Sequence, residues 1–252
     1  MLTHPTLDKL HTLRLAGMAK AFEEQLRTPG IEALSVEERL GLLIDRELAW
    51  RETRRLATRL RNAKLRHNAS IEDIDYRYPR GLDRVLLTKL TTCQWLREHR
   101  NVLITGPTGI GKSWIACALA QKACREGFSV LYVRIPRWLQ ELAIAKGDGR
   151  YGKLLAQLAR TDLVVLDDFA TAPFTEESRR DLLEFFEDRY EMRSTLITSQ
   201  LPVEHWHEAI GHPALADAIL DRLVHNAYKL NMKGESMRKR CTTLTPTEPC
   251  EA

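Results

Sequence analysis

The sequence predicts an α/β fold, a parallel sheet covered by helices on both faces, with a small all-helical domain ahead of it. Three observations carry this. The first 75 or so residues read as helical, and no strand signal appears before residue 100. From there, short β-branched runs alternate with helical stretches, the pattern of buried parallel strands joined by crossover helices. A glycine-rich turn, Gly106–Ser113, joins the first of these strands to a helix.

In order along the chain, apolar residues recur at helical spacing from Leu7, Leu10 and Leu13 through Leu15, Met18, Phe22 and Leu26, until Thr28-Pro29-Gly30 ends that helix. Ser35 opens a second helix, with Glu38 completing a capping box, and this helix is expected to run to about Arg66. Its later turns hold Arg51, Arg54, Arg55, Arg59, Arg61, Lys64 and Arg66 against a single Glu52, while Leu48, Leu56, Leu60 and Ala63 form an apolar stripe. One face can pack; the other presents guanidinium groups to a polyanion or is a solvated helix face. Residues 1–67 are thus expected to form an N-terminal helical domain for partner or DNA interaction, 68–84 a linker, 85–245 the α/β domain and 246–252 a tail. A helix is expected over Leu82–Leu96. Strands are expected at Asn101–Thr105, Ser129–Arg134, Leu163–Leu166, Thr195–Thr198 and Tyr228–Met232. Helices are expected at Lys112–Arg125, Pro136–Ala145, Tyr151–Arg160, Glu176–Glu191 and Ala214–His225.

The 252 residues suffice for one large domain and a small appendage. The net charge of +4 is too small to argue for nucleic acid; its placement matters more. No apolar run reaches the roughly 18 residues needed to span a bilayer. The N-terminus lacks a basic segment followed by an apolar one, so a cytoplasmic location and no membrane partner are expected. Cys93, Cys117, Cys124, Cys241 and Cys250 have neither Cys-x-x-Cys nor zinc spacing and read as reduced, structural thiols.

The turn reads Gly106-Pro107-Thr108-Gly109-Ile110-Gly111-Lys112-Ser113. It follows the apolar run Val102–Ile104 and opens a helix, the context in which Gly-x-x-x-x-Gly-Lys-Ser is a phosphate cradle. Glycine lets the backbone turn tightly and approach an anion. Backbone N–H groups and the helix N-terminus then point at the phosphates. Lys112 is expected at the β- and γ-phosphates and the Ser113 hydroxyl on magnesium, so the nucleotide is read as ATP.

Leu163–Leu166 is an apolar strand ending in Asp167 and Asp168, about 55 residues after Lys112. A strand end needs no such pair; a magnesium site does. Asp167 is expected to hold the cation, directly or through water, and Asp168 to orient or deprotonate the attacking water. Many relatives of this architecture place Glu at the second position. Asp is one methylene shorter, so slow basal hydrolysis is expected.

With these motifs in order, the chain resembles the IstB-like ATP-binding family, transposition helpers of the AAA+ class related to DnaC-type helicase loaders. The resemblance covers nearly the whole chain. It rests on Leu10–Ala19, Gly106–Ser113, Asp167-Asp168-Phe169, Ile197-Thr198-Ser199-Gln200, Asp221-Arg222-Leu223 and Gly234-Glu235-Ser236-Met237-Arg238. It implies an AAA+ P-loop core, a polar γ-phosphate sensor at Gln200, or next at Ser199, and an arginine finger at Arg222 that enters a neighbouring subunit's site. A helix-surface salt bridge with Asp221 or Asp217 is the other reading of Arg222. Arg238 is a nucleotide or DNA contact or part of a solvated tail, and Tyr76, Tyr78 and Pro79 are candidates to cover the adenine.

The segment Arg134–Asp162 resembles the extra helical insertion of initiator-type ATPases; its Arg134, Arg137, Lys146, Arg150 and Lys153 hold a DNA backbone in an oligomer's channel or belong to an exposed helix pair. Together these imply a homo-oligomer with active sites at subunit interfaces. It would assemble on double-stranded DNA, hydrolyse ATP and deliver target DNA to a cognate transposase. A loader of a replicative helicase is the alternative. A metabolic P-loop kinase has no use for Arg222, the basic insertion or the basic helix, and a scaffold without hydrolysis has none for Lys112, Asp167 and Asp168.

Overall fold

The structure is a computed structural model that describes residues 4–237. These fall into two compact units, one within Met1–Thr58 and one within Arg59–Ala252.

The first unit is helical: α1 (Pro5–Thr12), α2 (Ala16–Arg27) and most of α3 (Val36–Ala63). The one helix expected over Leu7–Leu26 is two, because Arg14 takes a left-handed backbone with φ of 58° and turns the chain. Leu13, expected in the apolar stripe, is left 67% exposed by that break. Gly17 lets α2 lie against α3: a Cβ there would sit 2.8 Å from the Cα of Glu47. The Glu47 carboxylate is buried and accepts from Met18 N at 3.0 Å and Arg51 Nε at 2.7 Å. Ser35 and Glu38 do form the capping box, each backbone N–H donating to the other's side chain. Helix α3 stops at Ala63 rather than Arg66, because left-handed Lys64 (φ 52°) terminates it.

The second unit is built on β1 (Asn101–Thr105), β2 (Val130–Arg134), β3 (Leu163–Phe169), β4 (Ser194–Ser199) and β5 (Ala227–Asn231). The sheet is parallel throughout, in the order β2-β3-β4-β1-β5. Its helices are α4 (Arg84–Thr91), α5 (Gln94–Arg97), α6 (Lys112–Arg125), α7 (Ile135–Asp148), α8 (Tyr151–Arg160), α9 (Glu176–Arg189), α10 (Trp206–Ile210) and α11 (Pro213–Val224). Leu103, Val164, Leu166 and Ile197 face the core formed with α7 to α11, and α6 packs across β1 to β4 from the other side. Strands covered on both faces carry no polar alternation, which is why β1 and β3 read as continuous apolar runs.

Three expectations are corrected. The helix expected over Leu82–Leu96 is broken by left-handed Cys93 (φ 57°) into α4 and α5. Helix α10 was not foreseen; its five residues are too few for a periodic signal, yet Trp206 is wholly buried against Phe169, with ring centroids 4.7 Å apart. The segment expected as a linker, 68–84, packs within the second unit. Ala69, Ile74 and Arg80 are buried, and the Arg80 carbonyl accepts from Lys233 N at 3.0 Å.

Candidate functional site

The turn after β1 is the segment expected to cradle phosphate. Gly106 has φ of 145°, and a Cβ there would meet the Met232 carbonyl oxygen at 2.3 Å; at Gly109 (φ 84°) one would meet Ser236 Oγ at 2.0 Å. Only glycine fits either position. The residues 232–236 therefore lie directly against the turn, and Met237 N donates to the Gly109 carbonyl at 3.0 Å. Ile110 is fully buried and anchors the loop, while Pro107 and Thr108 are exposed. Lys112 Nζ donates to the carbonyls of Gly106 and Pro107 at 2.7 and 2.9 Å.

Asp167, wholly buried at the end of β3, is the hub. Its Oδ1 accepts from Ser113 Oγ at 2.7 Å and from Thr198 Oγ1 in a short bond. Its Oδ2 accepts a short bond from Tyr132 Oη and lies 3.6 Å from Arg66 Nη1. Burial, and then the Asp167 carboxylate, push the Tyr132 hydroxyl's pKa far up, so it stays a donor. Asp168 follows a register shift between Leu166 and Phe169 and has φ of 63°. That turn swings its side chain to β2, where Arg134 Nε and Nη2 both grip Oδ2, at 2.9 and 2.7 Å. The same pairing raises the Arg134 pKa. The Asp168 N–H donates to Thr198 Oγ1 at 3.3 Å.

Lys112, Ser113 and Asp168 line a cavity of about 440 Å³, together with Thr108, Gln200, Arg66, His67, Asp73, Asp75, Arg80 and Met237. The volume is in the range of small-molecule sites. Gln200 accepts from Thr108 Oγ1 at 2.7 Å. The Ser113 hydroxyl and the Asp167 carboxylate offer magnesium the hard oxygen donors it takes, beside room for its waters and phosphate oxygens, so the residues fit that ion.

Other expectations shift. Ser199, second choice as a sensor, is buried and donates to the Phe169 carbonyl at 2.8 Å, a fold contact. Tyr76, Tyr78 and Pro79 do not line the cavity; from the segment before α4 its lining includes Arg66, His67, Asp73, Asp75 and Arg80. Arg222, on α11, lies outside it too. Its Nη2 pairs with Glu187 of α9 at 2.9 Å, not with Asp221 or Asp217, which meet His225 and His207.

The expected DNA contacts divide. Arg59 donates to the Cys124 carbonyl at 2.8 Å, Arg51 is held by Glu47, Lys146 by buried Asp181 at 2.7 Å, and Arg150 by Asp148. Arg54, Arg55 and Lys153 are exposed. Arg134, counted among the basic residues of the insertion, serves Asp168 instead. Arg238 lies outside the described residues.

Sequence reasoning missed Thr198, Tyr132 and Arg134 as site residues. The parallel register carries the signal: Tyr132 pairs with Val165 and Arg134 with Asp167, so two residues of one face of β2 reach the acidic end of β3.

The same order of motifs recurs in known proteins. Residues 8–245 match the family described as IstB-like ATP binding protein. The chain belongs to that family. This IstB-like chain is 58% identical over 239 residues to y4pL of Sinorhizobium fredii, whose name describes an insertion sequence ATP-binding protein; the match covers 95% of this chain and 98% of that one. A protein similarly named for insertion sequence IS21 of Pseudomonas aeruginosa is 31% identical, covering 91% and 86%. Among solved structures, DnaI superposes with a TM-score of 0.56 at 19% identity, over 66% of this chain and 91% of that one. DnaA bound to AMPPCP and single-stranded DNA superposes at 0.55 and 16% identity, over 68% and 52%. These two likenesses, each over about two thirds of this chain, concern the fold alone. No helix among the described residues is long and apolar enough to cross a membrane.

Proposed function

We propose that this IstB-like protein hydrolyses ATP with magnesium in the cytoplasm and uses the cycle to regulate DNA transposition. It oligomerises on duplex DNA and delivers target DNA to a cognate transposase. The observation that carries the reading is the buried Asp167 carboxylate accepting from Ser113 of the phosphate loop and from Thr198 of β4, with Asp168 beside it at the cavity wall.

The geometry supports the following roles. The amides of Gly106–Ser113 and the N-terminus of α6 hold the phosphates. Lys112 exchanges the carbonyls of Gly106 and Pro107 for β- and γ-phosphate oxygens. Ser113 and Asp167 would hold magnesium, which would supply charge neutralisation on the phosphates. Asp168 keeps one oxygen clear of Arg134 and takes the proton of the attacking water there. Gln200 has its carbonyl oxygen engaged by Thr108, which leaves its amide N–H groups for the γ-phosphate or that water. Arg222 leaves Glu187 to neutralise transition-state charge in the next subunit's site. Exposed Arg54, Arg55 and Lys153, and Lys146, Arg150, Arg51 and Arg59 if released from their partners, bind the DNA backbone without reading sequence.

The relatives named for insertion sequences favour a transposase as partner over a replicative helicase, because the likeness to DnaI concerns the fold alone. The test is sedimentation with ATP, magnesium and duplex DNA, followed by capture with an insertion-sequence transposase or with a replicative helicase. Large particles that retain the transposase support the proposal. A monomer that ignores DNA, or one that retains only the helicase, counts against it.

A further inference from the structure

Arg80 is 2% exposed, yet no carboxylate among the described residues lies within ion-pairing distance of its guanidinium. The Asp75 charge acts on it from beyond ion-pairing distance; its carboxylate meets Arg77, and its backbone carbonyl accepts from Arg80 Nη2 at 3.0 Å. Nη1 reaches the Ile110 carbonyl at 3.4 Å and Met237 Sδ at 3.1 Å, and Nε has no hydrogen-bond partner.

The second buried arginine, Arg189, shows what a structural guanidinium looks like here. It donates to the carbonyls of Leu158, Thr161, Asp162 and Ser194 and to Thr195 Oγ1, which knit α8, β3 and β4 together. Arg80 has no such set of acceptors. A buried charge left without a counter-ion is costly, so its retention asks for a reason.

Its location supplies one. Arg80 lines the phosphate cavity, and Nη1 lies 2.9 Å from where a Cβ on Gly111 would stand. Gly111 is the N-cap of α6, the positive end of that helix dipole. A cation beside a helix N-terminus, with Lys112 the next residue, is repulsive until an anion arrives.

We propose that Arg80 is a second buried cation of the phosphate site and that its missing counter-ion is the di- or triphosphate of a bound nucleotide. Through the Ile110 carbonyl and the Met237 sulfur it also ties the segment 232–237 to the cradle, so phosphate binding and the seating of that segment are one event. This rests on the reading that nucleotide occupies the cavity.

The test measures thermal stability and affinity for ATP, ADP and adenosine in wild type, Arg80→Met and Arg80→Gln. Removing an uncompensated buried charge leaves the free protein about as stable as wild type, or more so, whereas the nucleotide-induced rise in Tm shrinks. ATP and ADP affinity fall about tenfold or more, and adenosine affinity stays within about twofold. If Arg80→Met does not fold, Arg80→Gln carries the same comparison, since it keeps a donor for the Ile110 carbonyl and removes the charge. Equal ATP affinity in wild type and variant, or an equal loss for adenosine, overturns the assignment. Wild type that binds no ATP would instead remove the nucleotide reading itself.

Discussion

Arg134 holds Asp168 by one oxygen, with Nε at 2.9 Å and Nη2 at 2.7 Å on the same Oδ2. A guanidinium gripping the proposed base restrains its swing into the cavity. Arg134 also ends β2 and leads into α7, the start of the basic insertion. Arg134→Ala is therefore expected to raise hydrolysis without DNA several-fold and to reduce the further stimulation by duplex DNA. Phosphate release with and without DNA checks this; a fall in the DNA-free rate would mean that Arg134 assists the base rather than restraining it.

Thr198 Oγ1 meets both aspartates at once, donating to the Asp167 carboxylate and accepting from the Asp168 backbone N–H. Thr198→Val should lower the turnover number about tenfold or more with little change in ATP affinity, and Thr198→Ser should restore most of it. Tyr132→Phe removes one donor from the buried Asp167 and should cost about 1–3 kcal/mol of stability. Steady-state kinetics and urea unfolding read the two effects separately. Loss of ATP affinity with an unchanged turnover number in Thr198→Val would contradict the first.

Arg222 pairs with Glu187 within its own subunit. If it acts in a neighbour's site, Arg222→Ala and Lys112→Ala are each nearly inactive, and mixing them regains hydrolysis, because some interfaces combine an intact loop with an intact finger. No recovery on mixing, with both variants still assembling, would confine Arg222 to its own subunit.

Glu72 accepts from Arg125 of α6 at 2.8 Å, and that bond pulls its carboxyl pKa from 4.5 to about 2. The folded pKa is depressed, so the pair's contribution to stability is fully present above pH 4.5 and fades as pH falls towards 2. Arg125→Ala should flatten that part of the stability profile. Urea midpoints between pH 5 and pH 3 would show it; parallel profiles in wild type and variant would contradict it.

The sheet was legible because its strands are buried on both faces, so Asn101–Thr105 and Leu163–Leu166 stand out as apolar runs. The bounds of α6 and α8 were legible because glycine, or glycine and a charge, flank them at Gly111 and at Gly149-Arg150. Arg14, Lys64 and Cys93 were not, since each takes a left-handed backbone that its residue type does not announce. The loop and Asp167 could be found because their chemistry is local in sequence. Tyr132, Arg134, Thr198 and Arg80 could not, because each becomes part of the site only through strand register or through a segment folding back from far along the chain.

Phosphate release by the wild-type chain, with ATP and magnesium, titrated with duplex DNA, tests the central proposal most directly. The account predicts slow release without DNA, a rise of about tenfold or more as DNA is added, and loss of the activity in Asp167→Asn. Release that is absent at every DNA concentration, or that Asp167→Asn leaves unchanged, would contradict it.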